Sequence, residues 1–245
     1  MEVDIEVDVE EDNDDGMEDD ENEVNVDVNI DIEPELNQNF ADIIKQVRKI
    51  SKYFRQSPVR NEEHLQPLVR AAFGKELILY IDVCTRWNSL LKMLKRFYKL
   101  RIQVKMACVS AGLDFSLSDH DLEKINELCC ALTPLEFATK MLSKIDADLL
   151  YADQMTQFVI LKLNEQNSEI SQVMKEAFEE RVLSRRQTKV VHLMEYLKNP
   201  RYLEKNQDFF KQRIVKSDVV KLATSLIKRL FPAAEGTQVE TQVSG

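Results

Sequence analysis

The sequence predicts a mainly α fold with a single strand and a disordered acidic N-terminus. Three observations carry this. Hydrophobic residues make up 44% of the 245, enough for a core, while only 5 Gly and 6 Pro leave few tight turns for a β-sandwich. Apolar residues recur at helical spacing through most of the chain beyond residue 39. The charge is also split. Residues 1–36 hold 18 Asp and Glu and no Lys or Arg, leaving 25 acids against 33 bases in the remainder. The overall net charge of −10 therefore conceals a body of net +8, a balance suited to a polyanionic partner, with which the acidic tract would compete in cis.

Residues 1–38 are expected to be an acidic tail. Val3, Ile5, Val7 and Val9 alternate with acids, a period-2 pattern that suits a strand. Like charges at every second residue would repel along one face, so disorder is expected. Order should begin near Asn39, where Phe40, Ile43, Ile44, Val47, Ile50 and Phe54 recur at helical spacing around Lys45, Arg48, Lys49 and Lys52. Pro58 ends this helix, because the residue before proline avoids the α region. Residues 59–74 read as a short helical or irregular connection ending at Gly74. Residues 76–83, with Leu77, Ile78, Leu79, Tyr80 and Ile81 in a continuous apolar run, read as a strand buried on both faces.

Helices are expected from there on. Thr85 would cap a helix to about Ala111, stopped by Gly112. Ser118, with Asp121 three residues later, nearly matches a capping box. Pro134, inside Thr133-x-x-Glu136, suggests a kink or a fresh start before a helix end near Ile145. Further helices are expected at about 152–165, 169–184, 187–198 and 217–230, punctuated by Asn199-Pro200 and Phe231-Pro232. Residues 233–245 have tail composition.

Several function classes find no support. No run of about 18 apolar residues suggests a membrane span, and no basic-then-apolar leader suggests secretion. Cys84, Cys108, Cys129 and Cys130 form no C-x-x-C pair and lie far from His64, His120 and His192, so no zinc site is expected and the cysteines read as small core residues in a reducing compartment. Phosphate-binding, dinucleotide-binding, zinc-protease and hydrolase motifs are missing. No cofactor and no small-molecule substrate is expected.

The most informative segment is Asp82-Val-Cys-Thr-Arg-Trp-Asn-Ser89, which carries the single Trp. It resembles the Asp-Val-x-Thr-Arg-Trp-Asn-Ser block of hAT-superfamily transposases and their zinc-finger BED-type relatives. Lys45-x-x-Arg-Lys-x-x-Lys-Tyr-Phe-Arg-x-Ser-Pro-Val-Arg60 is similar to the helix preceding that block. Leu132-x-Pro-Leu-Glu-x-Ala-Thr-x-x-Leu-Ser143 is similar to the opening of the family's helical insertion, and Arg185-Arg186 and Tyr196-Leu-Lys-Asn-Pro200 to later turns of it. The resemblance spans about residues 40–231. It implies an RNase H-like remnant (helix, strand, helix) at 39–111 and a helical insertion domain at 112–232.

The family's two-metal chemistry uses three carboxylates, two on early strands and one near the C-terminus, converging on ions about 3.5–4 Å apart. Asp82 is not one of them. The early strands, a Cys-x-x-His element, a BED finger and a C-terminal dimerisation segment have no counterpart in the sequence. The resemblance therefore implies the middle of a transposase: a chain of no catalytic activity, nuclear, associated with DNA or with a protein partner or second copy. The alternative expectation is a degenerate fragment, or a partial gene model, with no activity of its own. Active strand cleavage would need carboxylates from another chain.

The candidate nucleic-acid-binding residues are Arg86, Trp87, Lys92, Lys95 and Lys99. The family associates the Trp with the DNA end, where an aromatic face stacks on an extruded base. The three lysines lie on the polar face of the following helix, able to track phosphates. A core role for Trp87 competes with this, because Leu90, Leu91 and Leu94 share its side of the helix. Arg181, Arg185, Arg186 and Lys189 form a second basic cluster, and Asp82 reads as a structural carboxylate that caps or pairs locally, with Arg86 as one candidate partner.

Overall fold

The computed structural model describes residues 34–83, 87–144 and 147–231, and at 34–38 and Trp87 the backbone alone. The acidic tract, Thr85 with its expected cap, and Arg86 lie outside the described residues.

The first helix, α1 (Pro34–Arg55), begins ahead of Asn39 and buries Phe40, Ile43, Val47, Ile50 and Phe54. Their spacing lays one apolar stripe along the core, as an amphipathic helix requires. Ser57 then caps a single turn, α2 (Pro58–Arg60), by accepting the Arg60 N–H at 3.4 Å. A π-helical turn (Asn61–Leu65) leads into α3 (Gln66–Phe73). That helix closes at Gly74, whose φ of 68° lies in the left-handed region that glycine enters without a Cβ penalty.

After an extended stretch at 76–83, the chain is helical again. The helices are α4 (Trp87–Lys99), α5 (Arg101–Ser110), α6 (Asp119–Leu142), α7 (Leu149–Glu165), α8 (Glu169–Arg185), α9 (Thr188–Lys198) and α10 (Lys216–Leu230). A 3-10 turn (Pro200–Glu204) follows α9, and an isolated antiparallel bridge joins Gln207 to Arg213.

Two apolar cores result. The first gathers α1, α3, α4, α5 and the start of α6 around Phe54, Leu79, Leu94, Phe97 and Ile125. The second gathers the end of α6 with α7 and α8 around Ala138, Val159, Leu163 and Ile170, and Phe40 of α1 reaches into it. A fully buried Leu, Ile or Phe stabilises by about 1.5–3 kcal/mol, so both cores are substantial. The 24-residue α6 belongs to both.

Four expectations need correction. Residues 76–83 are extended but form no strand; among the described residues no strand accompanies them. Only Leu77, Leu79 and Asp82 are buried, while Ile81 and Val83 are exposed. A strand needs a partner for its backbone groups. Here side chains serve some of them instead: Gln66 Nε2 donates to the Leu77 carbonyl at 3.3 Å and Arg96 Nη1 to that of Ile78 at 3.0 Å.

The helix expected from Thr85 to Ala111 breaks at Leu100, where φ −97° and ψ 10° bend the chain while Leu100 itself is fully buried. Its end is a Schellman motif: Leu113 N donates to the Cys108 carbonyl at 2.9 Å and Gly112 N, at φ 67°, to that of Val109 at 3.2 Å. Pro134 does not start a new helix: α6 runs through it as one element. Proline cannot donate to the carbonyl four residues back, and Gln166 Nε2 donates to that carbonyl, Cys130 O, at 2.9 Å. Finally, Cys130 is exposed rather than a core residue, unlike Cys108 and Cys129.

The capping box at Ser118 forms as expected. Asp121 N donates to Ser118 Oγ at 3.1 Å and Ser118 N to Asp121 Oδ2 at 2.9 Å.

Candidate nucleic-acid interface

Lys45, Arg48, Lys49 and Lys52 are spaced i, i+3, i+4 and i+7, so α1 carries them on one face. Lys45, Lys49 and Lys52 are exposed, and among the described residues no carboxylate pairs with them. Arg48 does have a partner. Its guanidinium grips Asp82 with Nε 3.0 Å from each carboxylate oxygen and Nη2 2.6 Å from Oδ2. The Asp82 side chain is 3% exposed, that of Arg48 41%. A buried carboxylate held by a bidentate fork is a positioning device, and the partner found here comes from α1, 34 residues away, rather than from the local sequence. This ion pair fastens the chain that leads into Arg86 and Trp87 against the basic face of α1.

A second clasp acts from the other side of the block. Ser89 Oγ accepts the Val83 N–H at 2.8 Å and donates to the Val83 carbonyl at 3.1 Å. Asp82 and Ser89 thus bracket residues 84–87 with fixed anchors. Arg96 adds a third constraint. It stacks over the Tyr80 ring at 4.5 Å and donates to the Tyr80 hydroxyl at 2.9 Å, so the extended stretch is pinned to α4.

The predicted residues fare unequally. Arg86 and the Trp87 side chain lie outside the described residues; Trp87 supplies the first backbone position of α4. Lys92 is exposed on α4. Lys95 is tied to Glu136 of α6 at 2.7 Å, which neutralises part of its attraction for phosphate. Lys99 sits over the Phe73 ring at 5.8 Å. The α4 lysines therefore diverge in their engagements, while Lys45, Lys49 and Lys52 share one open face. The charge periodicity of α1 was a readable signal for that face. Its nearness to the Trp block was not, because it depends on the Arg48–Asp82 contact across 34 residues.

The second basic cluster divides. Arg181 and Arg185 are exposed, and Lys189 pairs with Asp218 at 3.1 Å. Arg186 is instead a core residue, its side chain 4% exposed. It binds Asp153 with Nε–Oδ1 at 2.6 Å and Nη2–Oδ2 at 3.1 Å, reaches Asp208 and Gln212 through Nη1, and covers the Phe210 ring at 4.6 Å. His192 Nε2 lies 3.1 Å from the same Asp208 oxygen. Burial disfavours the Asp208 charge, but hydrogen bonds from Arg186, then His192 and the Gln212 N–H, outweigh it and hold the carboxyl below its ordinary value of 3.8. Burial also pushes the nearby Tyr202 hydroxyl up to about 12. This network ties α7, α9 and the 205–215 loop together, leaving Arg186 unable to meet a phosphate without unfolding it.

The buried thiols have no nucleophilic character at neutral pH. Burial pushes Cys108 up to about 11 and Cys129 to about 12. Among the described residues, no three His, Cys, Asp or Glu side chains converge as metal ligands would, and no helix is long and apolar enough to cross a membrane.

Comparison with known proteins gives one family. Residues 28–131 match the ZBED1 RNase-like helical domain. No curated protein and no solved structure matches the chain. The match runs from ahead of α1 to the middle of α6 and so contains the basic face, the Arg48–Asp82 clasp and the Trp block. Residues 28–131 are thus similar to that domain, a likeness consistent with a hAT/ZBED-type transposase-derived protein.

Proposed function

We propose that the chain is a nuclear, catalytically inactive DNA-associated module. In this reading the open face of Lys45, Lys49 and Lys52, extended by Lys92, tracks the phosphate backbone, and Arg86 with Trp87 meets a strand end or unpaired base. The observation that carries it is the bidentate Arg48–Asp82 pair, which binds the chain entering the Trp block to the basic face of α1. Phosphate neutralisation releases counterions, so affinity should fall steeply with salt, at a slope of about −0.9 per contact on duplex DNA.

The test is binding to duplex and hairpin DNA across a salt series. Lys45→Glu with Lys49→Glu and Lys52→Glu should weaken binding at least tenfold and flatten the salt dependence by about two to three contacts' worth. Trp87→Ala should weaken hairpin more than duplex binding, by about 1–3 kcal/mol if one base stacks. Wild-type-like binding by the triple variant would sink the proposal. Strand cleavage dependent on Mg²⁺ or Mn²⁺ and abolished in Asp82→Ala would overturn the inactive reading.

A second reading, a fragment with no activity of its own, rests on the exposed Ile81 and Val83 in an extended stretch that has no accompanying strand among the described residues. It predicts no saturable DNA binding at all.

A further inference from the structure

Among the described residues, α10 carries a run of exposed apolar side chains. Val219 packs inward, at 2% exposure, yet Val220, Ile227, Leu230 and the adjoining Phe231 are all exposed, Leu230 at 71% and Phe231 at 65%. Positions 220, 223, 227 and 230 recur at helical spacing and form one stripe. A stripe of this kind on the outside of a helix calls for an occupant. Its rim is basic: α10 holds Lys216, Lys221, Lys228 and Arg229 against a single acid, Asp218. Two copies of this helix would bring like charges together, which disfavours self-association through it.

The chain itself contains a segment of opposite character. At residues 2–10, Val3, Ile5, Val7 and Val9 alternate with Glu2, Asp4, Glu6, Asp8 and Glu10, without a base. Repulsion between these acids opposes order in the isolated segment, and the same repulsion is relieved when cations face them. Reach is no obstacle. Residues 11–33 span about 75 Å when extended, against roughly 40 Å across a compact domain of this size. The 232–245 tail is a poorer match, with two acids and two valines.

We infer that residues 2–10 seat on the α10 stripe, their aliphatic side chains against Val220, Ile227 and Leu230 and their acids toward the Lys and Arg rim. This seating does not rest on the DNA-binding reading. It is tested by amide hydrogen exchange over residues 220–230 in the full chain. Replacing Val3, Ile5, Val7 and Val9 with Ser should speed exchange there about tenfold or more, as should Lys221→Glu with Arg229→Glu, and both effects should shrink at high salt. Exchange in the wild-type chain should not change on dilution. Equal rates in wild type and the Ser variant would overturn the inference, whether α10 is unprotected in both or covered by the C-terminal tail. Protection that falls on dilution would overturn it in favour of a second copy.

Discussion

Arg186 and Asp208 differ sharply from the exposed basic residues around them. Exposed pairs such as Lys162–Glu165 contribute little, because water and salt screen them. The Arg186 guanidinium is buried among Asp153, Asp208 and Gln212. Truncating one partner leaves a buried charge without full compensation, so Asp153→Ala should cost about 3–5 kcal/mol in denaturant melts, whereas Arg181→Ala should change stability by less than about 0.5 kcal/mol. The pH response follows from Asp208. Its folded carboxyl titrates below 3.8, so its stabilisation is complete above the unfolded value and is lost as pH falls through the depressed folded one. Acid titration of stability should therefore show a loss below about pH 4. In Asp208→Asn that component should be reduced; an unchanged acid limb would refute the assignment. Nothing in the spacing of Arg181, Arg185 and Arg186 distinguishes the buried member. Only the approach of Asp153 and Asp208, 33 and 22 residues away, does so.

At the level of elements, α6 shows how a local rule yields to a distant side chain. A proline inside a helix costs about 3 kcal/mol or more when its missing bond is left open. Gln166, at the end of α7, fills the Cys130 carbonyl, and Thr133 Oγ1 bonds the Cys129 carbonyl at 2.7 Å. A double-mutant cycle tests this compensation. Gln166→Ala should cost about 1 kcal/mol in the wild-type background and distinctly less with Pro134→Ala, whose N–H would serve the same carbonyl. Purely additive effects would refute the link. Element ends were easier to anticipate. Ser118, Gly74, Gly112 and Asn199 act at their own positions through local bonds, and each terminates or opens an element as the residues suggest. Residues 76–83 misled because their apolar run reports burial, and Leu77 and Leu79 are buried, but pairing is a property of a neighbour and not of the run itself.

The whole molecule is organised by the passage of α6 through both cores. Leu122, Ile125 and Cys129 belong to the first, and Ala131 and Ala138 to the second. A rigid helix shared by two cores couples their stabilities. Leu94→Ala and Leu163→Ala should each cost about 2–5 kcal/mol and should lower one common unfolding midpoint seen by circular dichroism. Two separated transitions would show that the cores melt independently. Helix content, the amphipathic faces, most caps and the split between an acidic tract and a basic body could all be read from residue types and periods, because those properties are set within a few residues along the chain. The Trp block and the Lys45–Arg60 motif likewise pointed to the family whose model matches residues 28–131. Three features could not be read this way: the clasp of Arg48 on Asp82, the burial of Arg186 and the rescue of Pro134 by Gln166. Each depends on a contact between groups more than 20 residues apart. Packing chooses such partners, and a one-dimensional pattern carries no record of which charge or carbonyl will be brought within 3 Å of another.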